Sequence, residues 1–470
     1  MCGVRAGRVV RVHLGGPLSE RSDDPESVVE AVGGRQGLWE EIFSRENLLA
    51  ALKRVEKNAG AAGVDGMSTG ELRQWALQRW PETKALLDSG AYRPAPVRQV
   101  SVPKPDGGVR VLGVPTVLDR LVQQAIAQVL GPIFEEGFSE FSFGFRPGRS
   151  AHDAVRAARR FVEDGRQWVV EVDLDSFFDR VHHDKLMHRV GRKVKDKRVL
   201  RLVHRYLQAG IMADGIRQSV REGTPQGSPL SPLLSNIMLD DFDSQMQARG
   251  HRFVRYADDV RIFVGSKRAA ERVLSQAIKV LEGQLKLRVN QQKSTIAPAT
   301  VATLLGFGFF FTAGRQVGIR IAPKAFKRLK QRIRELTSRR WSISMGEHIT
   351  RLNRFIRGWM GYFGLISRPG AFRDFDSWFR RRMRQIRWKE WKLPRTRWRN
   401  LRRLGIAGAK AYEWSHSSRG YWRVAGSPIL ARALPNEYWS ELGLWFFTDA
   451  WHRFNASANR RMRSSARTVV

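Results

Sequence analysis

Two adjacent aspartates, Asp258 and Asp259, lie in the stretch FVRYADDVRIFV, between two short apolar runs that predict the strands of a hairpin. Carboxylates placed this close raise the cost of ionising each other unless a cation lies between them. A solvated turn is the simpler interpretation, because aspartate is a common turn former. The pair alone therefore leaves both a turn and a cation site open.

A third aspartate follows another apolar run. In WVVEVDLDSFFDRV, a strand rich in valine ends at Asp173. If this strand end lies beside the hairpin, three carboxylates could gather around divalent cations. Hard oxygen ligands suit Mg²⁺, and two Mg²⁺ ions about 4 Å apart can activate a 3′ hydroxyl and stabilise a pyrophosphate leaving group. The three aspartates therefore indicate nucleotidyl transfer.

Composition limits the class of partner. The 470 residues are 42% hydrophobic and carry a net charge of +37, which indicates a polyanion, nucleic acid ahead of an anionic membrane. The sequence contains no transmembrane-length apolar run and no apolar core of a signal peptide, so we expect a cytoplasmic protein, associated with the nucleoid when it acts on DNA, without a membrane partner. Cys2 is the single cysteine, which excludes an internal disulfide and a multi-cysteine zinc site.

The positive charge is concentrated at one end. Residues 321–470 hold 34 lysines and arginines against 9 aspartates and glutamates, and 11 of the 15 tryptophans. Arginine beside tryptophan suits a groove for phosphates and unpaired bases. The alternative is that the tryptophans form a core and the arginines a solvated face, and both readings can hold in part.

The chain changes texture along its length. Residues 1–36 predict a weakly ordered extension, and two strands flank a turn at PDGG, residues 105–108. Strands then alternate with helices, which predicts an α+β domain with an antiparallel sheet. Helices are predicted at about 119–130 and over KRAAERVLSQAIKVLEGQL, and a strand over TLLGFGFFF. Arginine-rich helices follow residue 323.

The order of these segments resembles a known family. YADD, residues 256–259, and DLDSFF, residues 173–178, are similar to the catalytic segments of reverse transcriptases, specifically the reverse transcriptase and maturase encoded by group II introns. The resemblance implies a right-hand polymerase with fingers and an antiparallel palm sheet (37–319), an α-helical thumb (320–390) and a basic C-terminal region (391–470). It also implies two Mg²⁺ ions held by Asp173, Asp258, Asp259 and the backbone carbonyl of Leu174, with Asp258 the more secure ligand.

The resemblance further assigns nucleotide-binding residues. Phe178 stands where such enzymes place the aromatic that excludes a ribose 2′-OH, although core packing would also explain it. Gln226, in GTPQGSPLSPLLSN, offers an amide to the incoming nucleotide, and LRVNQQKS contributes Lys293 near the palm. In the fingers hairpin, Arg98, Lys104 and Arg110 would bind triphosphate, or would simply be solvated.

Nucleic-acid contacts are implied in two further segments. FSFGFRPGRSAHDAV resembles a template-side segment in which Phe145, Arg146 and Arg149 could touch the template. RLNRFIRGWMGYFGL resembles the maturase-specific thumb, where Arg351, Arg354 and Arg357 recur at helical spacing and suit backbone phosphates, with a solvated face as the alternative. RGYWRVAGSPILARALPNEYWSELGL resembles the following segment, which helps to bind the intron or the DNA target.

The implied function is RNA-directed DNA polymerisation combined with binding of intron RNA, which assists splicing and retrohoming by target-primed cDNA synthesis. The implied partners are the intron RNA, an RNA template, a DNA target and primer, and deoxynucleoside triphosphates. Many relatives end in a zinc-binding H-N-H endonuclease, and the lone Cys2 argues against one here. Two alternatives remain: a domesticated or defence-associated reverse transcriptase, and a splicing factor without polymerase activity.

Overall fold

A computed structural model describes residues 37–103, 107–213, 216–218, 222–224 and 226–456. The predicted N-terminal extension (1–36) and Lys104 lie outside the described residues. Among the described helices, none is long and apolar enough to cross a membrane.

The N-terminal part combines helices with a β-hairpin. Its helices are α1 (Leu38–Ile42), α2 (Arg45–Asn58), α3 (Leu72–Asp88) and α4 (Val117–Glu135), and its hairpin strands are β1 (Val97–Pro103) and β2 (Val109–Val114). Two short strands, β4 (Ile211–Ala213) and β5 (Ile216–Gln218), extend this sheet in the order β2-β1-β4-β5. The hairpin predicted around the PDGG turn is confirmed by the register Val102↔Arg110.

Helix α4 is longer than the sequence predicted. It begins after Thr116, whose side chain accepts a hydrogen bond from the Asp119 backbone N–H, and it continues through Pro132 to Glu135. The predicted end at Leu130 is followed directly by Gly131 and Pro132, residue types that commonly end a helix. Proline removes one backbone hydrogen bond, but its fixed φ suits a helix, and burial of Phe134 continues the apolar face for another turn.

The palm is a four-stranded antiparallel sheet in the order β6-β7-β3-β8. Its strands are β3 (Trp168–Val172), β6 (Arg252–Tyr256), β7 (Asp259–Val264) and β8 (Thr295–Pro298). The helices of this region are α5 (Ala151–Glu163), α6 (His183–Lys193), α7 (Lys197–Leu207), α8 (Ser231–Ala248) and α9 (Lys267–Ile278), the last continued by a π-helical turn, Lys279–Gln284. Fully buried valines, among them Val170 and Val260, form the centre of the sheet, which fixes its register.

A small sheet connects the palm to the helical C-terminal part. It consists of β9 (Thr303–Leu304), β10 (Phe307–Phe311) and β11 (Val317–Ile321). The single strand predicted over TLLGFGFFF was wrong, because Leu305 (φ 52°) and Gly306 (φ 84°) turn the chain back on itself. A boundary at residue 319 would fall inside β11, so the helical part begins at Pro323.

The C-terminal part is α-helical throughout its described length. Its helices are α10 (Pro323–Leu336), α11 (Met345–Phe363), α12 (Gly370–Glu390), α13 (Pro394–Arg403), α14 (Gly408–Ser415), α15 (Tyr421–Ala425), α16 (Pro428–Ala433), α17 (Asn436–Glu441) and α18 (447–456). The tryptophans divide between core and surface: Trp388 and Trp439 are buried, whereas Trp398 and Trp422 are exposed. Tyr362 joins α11 to the small sheet by donating its hydroxyl to the Leu305 carbonyl at 2.9 Å.

Candidate active site

The hairpin tip presents Asp258. Strands β6 and β7 pair with Tyr256 opposite Asp259, so Ala257 and Asp258 form a two-residue loop. Such loops need a positive φ at their first position, and Ala257 has a φ of 60°. Alanine is the smallest side chain that pays a steric penalty there, and it is 6% exposed. The loop therefore places Asp258 at the end of the sheet in a backbone conformation that needs support.

Asp173 lies at the same end of the sheet. Val172 pairs with Val260, so the residue after β3 lies next to the first residues of β7. The Asp173 backbone is held on both sides, because its N–H donates to the Ser294 Oγ at 3.1 Å and its carbonyl accepts from the Asn290 N–H at 2.8 Å. The chain between Asn290 and Ser294 thus fixes the strand end that carries the carboxylate.

The carboxylates of Asp173 and Asp258 lie close enough to interact electrostatically. Burial raises the pKa of Asp258, and the Asp173 carboxylate raises it further, while Arg110 acts in the opposite direction. Within the part of the chain that the structure describes, neither Asp173 nor Asp258 forms an ion pair with a basic side chain. A cation would supply the charge that this arrangement lacks.

Asp259 faces a different environment. Its carboxylate pairs with Arg261, whose Nε also lies 3.4 Å from Glu171 and donates to the Thr303 carbonyl at 3.2 Å. Burial raises the pKa of Asp259, and Arg261 opposes that increase. The adjacent aspartates therefore diverge: Asp258 remains without a basic partner, whereas Asp259 is bonded to the sheet.

The donor set fits hard divalent cations. Within the described ranges, no three His, Cys, Asp or Glu side chains lie close enough to form a complete metal cluster. Asp173 and Asp258 are two carboxylates at one sheet end, and nucleotide phosphates commonly complete a Mg²⁺ shell. Leu174 bridges to Val289, but the bonds of that bridge come from the flanking residues, which leaves its carbonyl unused by them.

Phe178 and Gln226 line one cleft. The cleft has a volume of about 340 Å³ and lies between the hairpin residues Val111–Gly113 and the segment Gly223–Gln226. The Thr224 N–H donates to the Phe178 carbonyl at 2.6 Å, and the Gly113 N–H donates to the Gln226 carbonyl at 2.9 Å. The structure thus brings together two of the predicted nucleotide-binding residues.

The basic nucleotide-binding candidates are more dispersed. Arg98 and Arg110 share one face of the hairpin, as the register Arg98↔Val114 and Val102↔Arg110 shows, about 13 Å apart along the strands. The Arg98 guanidinium donates to the Ala62 carbonyl at 2.6 Å, which ties it to the preceding loop. Arg110 is exposed and acts electrostatically on Asp258. Lys293 is exposed, and its backbone donates to the Asn290 carbonyl at 3.2 Å.

The template-side segment differs from its prediction. Arg146 is 8% exposed and donates to Glu135 at 2.9 Å and to the carbonyls of Ser139 and Ser142. This arginine holds the loop together, so it is not placed to contact a template phosphate as the sequence suggested. Arg149 lies over the Phe143 ring at 5.5 Å. Phe145 is 51% exposed and remains available to stack on a base.

The three arginines predicted to lie in a thumb, Arg351, Arg354 and Arg357, are all exposed on α11. Arg351 lies over Trp341 and is bonded to Glu347 at 2.6 Å, and Arg354 is exposed. Two arginines lie against Trp445: the guanidinium carbon of Arg357 is 5.0 Å from the ring centroid, and that of Arg453 is 4.8 Å from it. The arginines are thus presented to solvent, with tryptophan rings beneath them.

Comparisons with known proteins agree with this geometry. Residues 102–309 match the family described as reverse transcriptase (RNA-dependent DNA polymerase), and residues 326–405 match the group II intron, maturase-specific domain. Protein YkfC of Escherichia coli is 38% identical over 54% of this chain and 78% of its own length. The chain belongs to the group II intron-encoded reverse transcriptases.

Other relatives extend beyond the matched region. The group II intron-encoded protein LtrA of Lactococcus lactis is 35% identical over 43% of this chain, and the match spans only 34% of LtrA. A solved Cas6-RT-Cas1–Cas2 complex is 27% identical over 52% of this chain and 42% of that chain, with a TM-score of 0.34 that adds nothing about the fold. This reverse transcriptase therefore has a polymerase-type α+β palm followed by a maturase-specific domain.

Two residues of the site were missed from the sequence. Ser294 fixes the Asp173 backbone, but a serine at the end of LRVNQQKS carries no signal of its own. Arg255 is 0% exposed beneath the hairpin tip. Its signal was present, because an arginine inside the apolar run FVRYA is expected to be buried only with a partner.

Proposed function

We propose that this reverse transcriptase extends a DNA primer on an RNA template with a site built on Asp173 and Asp258, and that its C-terminal part binds intron RNA and assists splicing. One observation carries the proposal: Asp258, at the hairpin tip, lies at the same end of the sheet as Asp173, and no basic side chain among the described residues pairs with either. A pair of carboxylates without basic partners at the end of a sheet suits cation binding better than packing.

When bound, two Mg²⁺ ions would lower the pKa of the primer 3′ hydroxyl and balance the negative charge of the leaving pyrophosphate. The chain's own contribution is to hold the reacting groups. Asp173, Asp258 and the Leu174 carbonyl would provide the oxygen ligands. Asp259, bonded to Arg261, would add negative charge from the neighbouring face. We assign Asp259 the smaller part, because its carboxylate already has a basic partner.

The cleft lined by Phe178 and Gln226 would receive the sugar of the incoming deoxynucleotide. Phe178 would exclude a 2′-hydroxyl by its volume, and the Gln226 side chain would offer an amide. Arg110 would meet the triphosphate, since it already acts on Asp258 from the hairpin. Arg98 would support this hairpin through its bond to the Ala62 carbonyl.

The thumb would bind RNA through phosphate contacts. Arg351, Arg354 and Arg357 are exposed along α11, and the segment from residue 321 onward carries a net +25 of the chain's +37. Phosphate contacts of this kind position a nucleic acid without reading its sequence. We propose that they hold the intron RNA during splicing, and that cDNA synthesis is then primed at a DNA target.

Substitution of Asp258 tests the polymerase site. Asp258→Asn should reduce primer extension by on the order of 1,000-fold, because the loss of a carboxylate ligand removes several kcal/mol of charge stabilisation. Asp175→Asn is the matched control, since Asp175 is a neighbouring aspartate paired with Arg180 at 3.2 Å. Extension that survives in Asp258→Asn would refute the assignment.

The same proteins separate polymerisation from splicing. On a transcript that contains the reading frame and its flanks, at low Mg²⁺, wild type and Asp258→Asn should promote splicing equally, and buffer alone should not. If neither protein promotes splicing or binds that transcript, while wild type extends a primer, the chain acts as a free-standing reverse transcriptase. If both splice and neither extends a primer, it is a splicing factor only.

A further inference from the structure

Arg255 is the most thoroughly buried charged residue near the site. It lies in β6, three residues before Asp258, and its side chain is 0% exposed. A guanidinium cannot shed its charge, so it must find its hydrogen-bond acceptors inside the protein. Those acceptors identify the segments that it joins.

The Arg255 guanidinium bonds to one helix and to the hairpin tip. Its Nε donates to both carboxylate oxygens of Asp243 at 2.8 Å, and its Nη1 donates to the Asn236 Oδ1 at 2.8 Å; both acceptors lie on α8. The same Nη1 donates to the Ala257 carbonyl at 3.0 Å. Arg255 thus grips the peptide that leads directly into Asp258.

A third segment is tied to the same group. The Asn236 Nδ2 donates to the Gly144 carbonyl at 2.9 Å, and the Phe143 N–H donates to the Arg255 carbonyl at 2.8 Å. Gly144 lies so close to the hairpin tip that an added Cβ would come within 2.2 Å of the Ala257 nitrogen. The template-side loop therefore packs directly on the turn that carries Asp258.

Stability alone does not account for this arrangement. Replacing a buried ion pair by well-packed apolar residues is often neutral or stabilising, because both charges lose their hydration. At the same place, Ala257 keeps a positive φ, which is sterically unfavourable for an L-residue. A costly polar bridge supports a strained turn, and the turn carries the proposed metal ligand.

We propose that Arg255 is a positioning residue: through Asp243 and Asn236 it fixes the Ala257–Asp258 turn against Asp173 and links the template-side loop to the catalytic hairpin. The inference rests on the proposed function, since it treats Asp258 as a ligand. It also couples the template-side segment to the catalytic hairpin. If a template displaces residues 141–144, the displacement would be transmitted to Asp258 through Asn236 and Arg255.

A charge-free pair tests the bridge without leaving a buried charge unpaired. The variant combines Arg255→Met with Asp243→Leu. The matched control combines Arg189→Met with Asp241→Leu, which removes another α8 ion pair, 2.7 Å long, whose arginine otherwise donates to the Lys185 carbonyl. Three quantities are measured: thermal unfolding, hydrogen exchange of a peptide covering residues 253–260, and the Mg²⁺ concentration that gives half-maximal primer extension.

We expect the charge-free pair to unfold at a temperature close to that of wild type, because replacing a buried ion pair by apolar residues is often neutral. Its hairpin peptide should exchange hydrogen at least tenfold faster. The variant should also need about tenfold more Mg²⁺ and extend a primer 10- to 100-fold more slowly, as misplacement of a reacting group by about 1 Å would cause. The control should leave exchange at the hairpin and the Mg²⁺ requirement unchanged. Wild-type values for exchange, Mg²⁺ requirement and rate in the charge-free pair would overturn the proposal.

A second variant covers the case in which the charge-free pair fails to fold. Arg255→Lys keeps the charge but lacks the planar fork needed to reach Asp243, Asn236 and Ala257 together. It should reproduce the faster exchange and the raised Mg²⁺ requirement, and wild-type behaviour would refute the bridge. If wild type itself does not extend a primer, the proposed function fails, while hydrogen exchange still decides whether Arg255 holds the turn.

Discussion

At the scale of single residues, two neighbours in sequence have different surroundings. Asp258 lies at a hairpin tip without a basic partner in the described chain, whereas Asp259, the first residue of β7, pairs with Arg261. Successive side chains of a strand point to opposite faces, so adjacent residues enter different environments. Of the repulsive pair, the Asp259 carboxylate is neutralised by Arg261, and we propose that the Asp258 carboxylate binds a cation.

Phe178 offers a second test at this scale. Phe178→Ala should raise incorporation of ribonucleotides relative to deoxyribonucleotides by on the order of 10- to 100-fold. Removing the steric block should lower the free energy of discrimination between the two sugars by about 1–3 kcal/mol. Single-nucleotide insertion with each triphosphate measures the ratio. Val111→Ala, which shortens another side chain of the same cleft, is the control. An unchanged ratio would leave Phe178 as a packing residue.

The sequence predicted the chemistry of the site better than its supports. The three aspartates were found because carboxylates at strand ends are a local signal. Ser294 was missed because its partner Asp173 is 121 residues away in sequence, and Arg146, predicted to touch the template, instead donates to Glu135 and to the Ser139 carbonyl. A basic residue in a loop looks the same whether it meets a phosphate or a carbonyl, and only the fold decides between them.

At the scale of elements, helix α8 collects acidic residues beneath the hairpin. Burial raises the pKa of Asp240 from 3.8 to about 6, and nearby Asp243 adds to the increase. The Asp240 Oδ1 is buried without a hydrogen-bond partner among the described residues. Because the folded state holds this proton more tightly than the unfolded chain, the contribution of Asp240 to the free energy of unfolding falls as pH rises between about 4 and 6.

Asp240→Asn should therefore remove that loss. We expect the free energy of unfolding at pH 7.5 to rise by on the order of 1–2 kcal/mol, allowing for partial exposure, with little change at pH 4. Denaturant titrations at the two pH values measure it. Asp241→Asn is the control, since Asp241 pairs with Arg189 and Arg192, each at 2.7 Å, and its loss should destabilise the protein slightly at pH 7.5. Equal stability of Asp240→Asn and wild type at pH 7.5 would contradict the shift.

Element types were easier to predict than their ends. Strands β3, β6 and β7 of the palm sheet were predicted because apolar runs and turn residues are strong local signals, whereas β8 was not predicted. The end of α4 and the turn inside TLLGFGFFF were missed, since burial of Phe134 outweighed Gly131 and Pro132, and since Leu305 adopted a positive φ that its side chain does not favour. Tertiary packing decided both cases.

At the scale of the molecule, the charge gradient predicts how RNA binding depends on salt. Arg351, Arg354 and Arg357, replaced together by glutamine, should reduce the slope of log affinity against log salt by about 2 to 3, because each phosphate contact contributes about 0.7–0.9. Filter binding over a salt series measures it. Lys267, Arg268 and Arg272, exposed on α9, replaced likewise, should leave the slope nearly unchanged. Equal slopes for both triple variants would argue against a thumb-centred RNA surface.

The tryptophans beneath those arginines have a consequence for binding entropy. A free arginine carries about 2 kcal/mol of rotamer entropy, much of which is lost when it grips a phosphate. Arg357 and Arg453 already lie against the Trp445 ring, and Arg351 lies against Trp341. Because these ring contacts already restrict the arginines in the folded protein, we expect RNA binding to cost less side-chain entropy, so that less of the binding enthalpy is cancelled by ordering them.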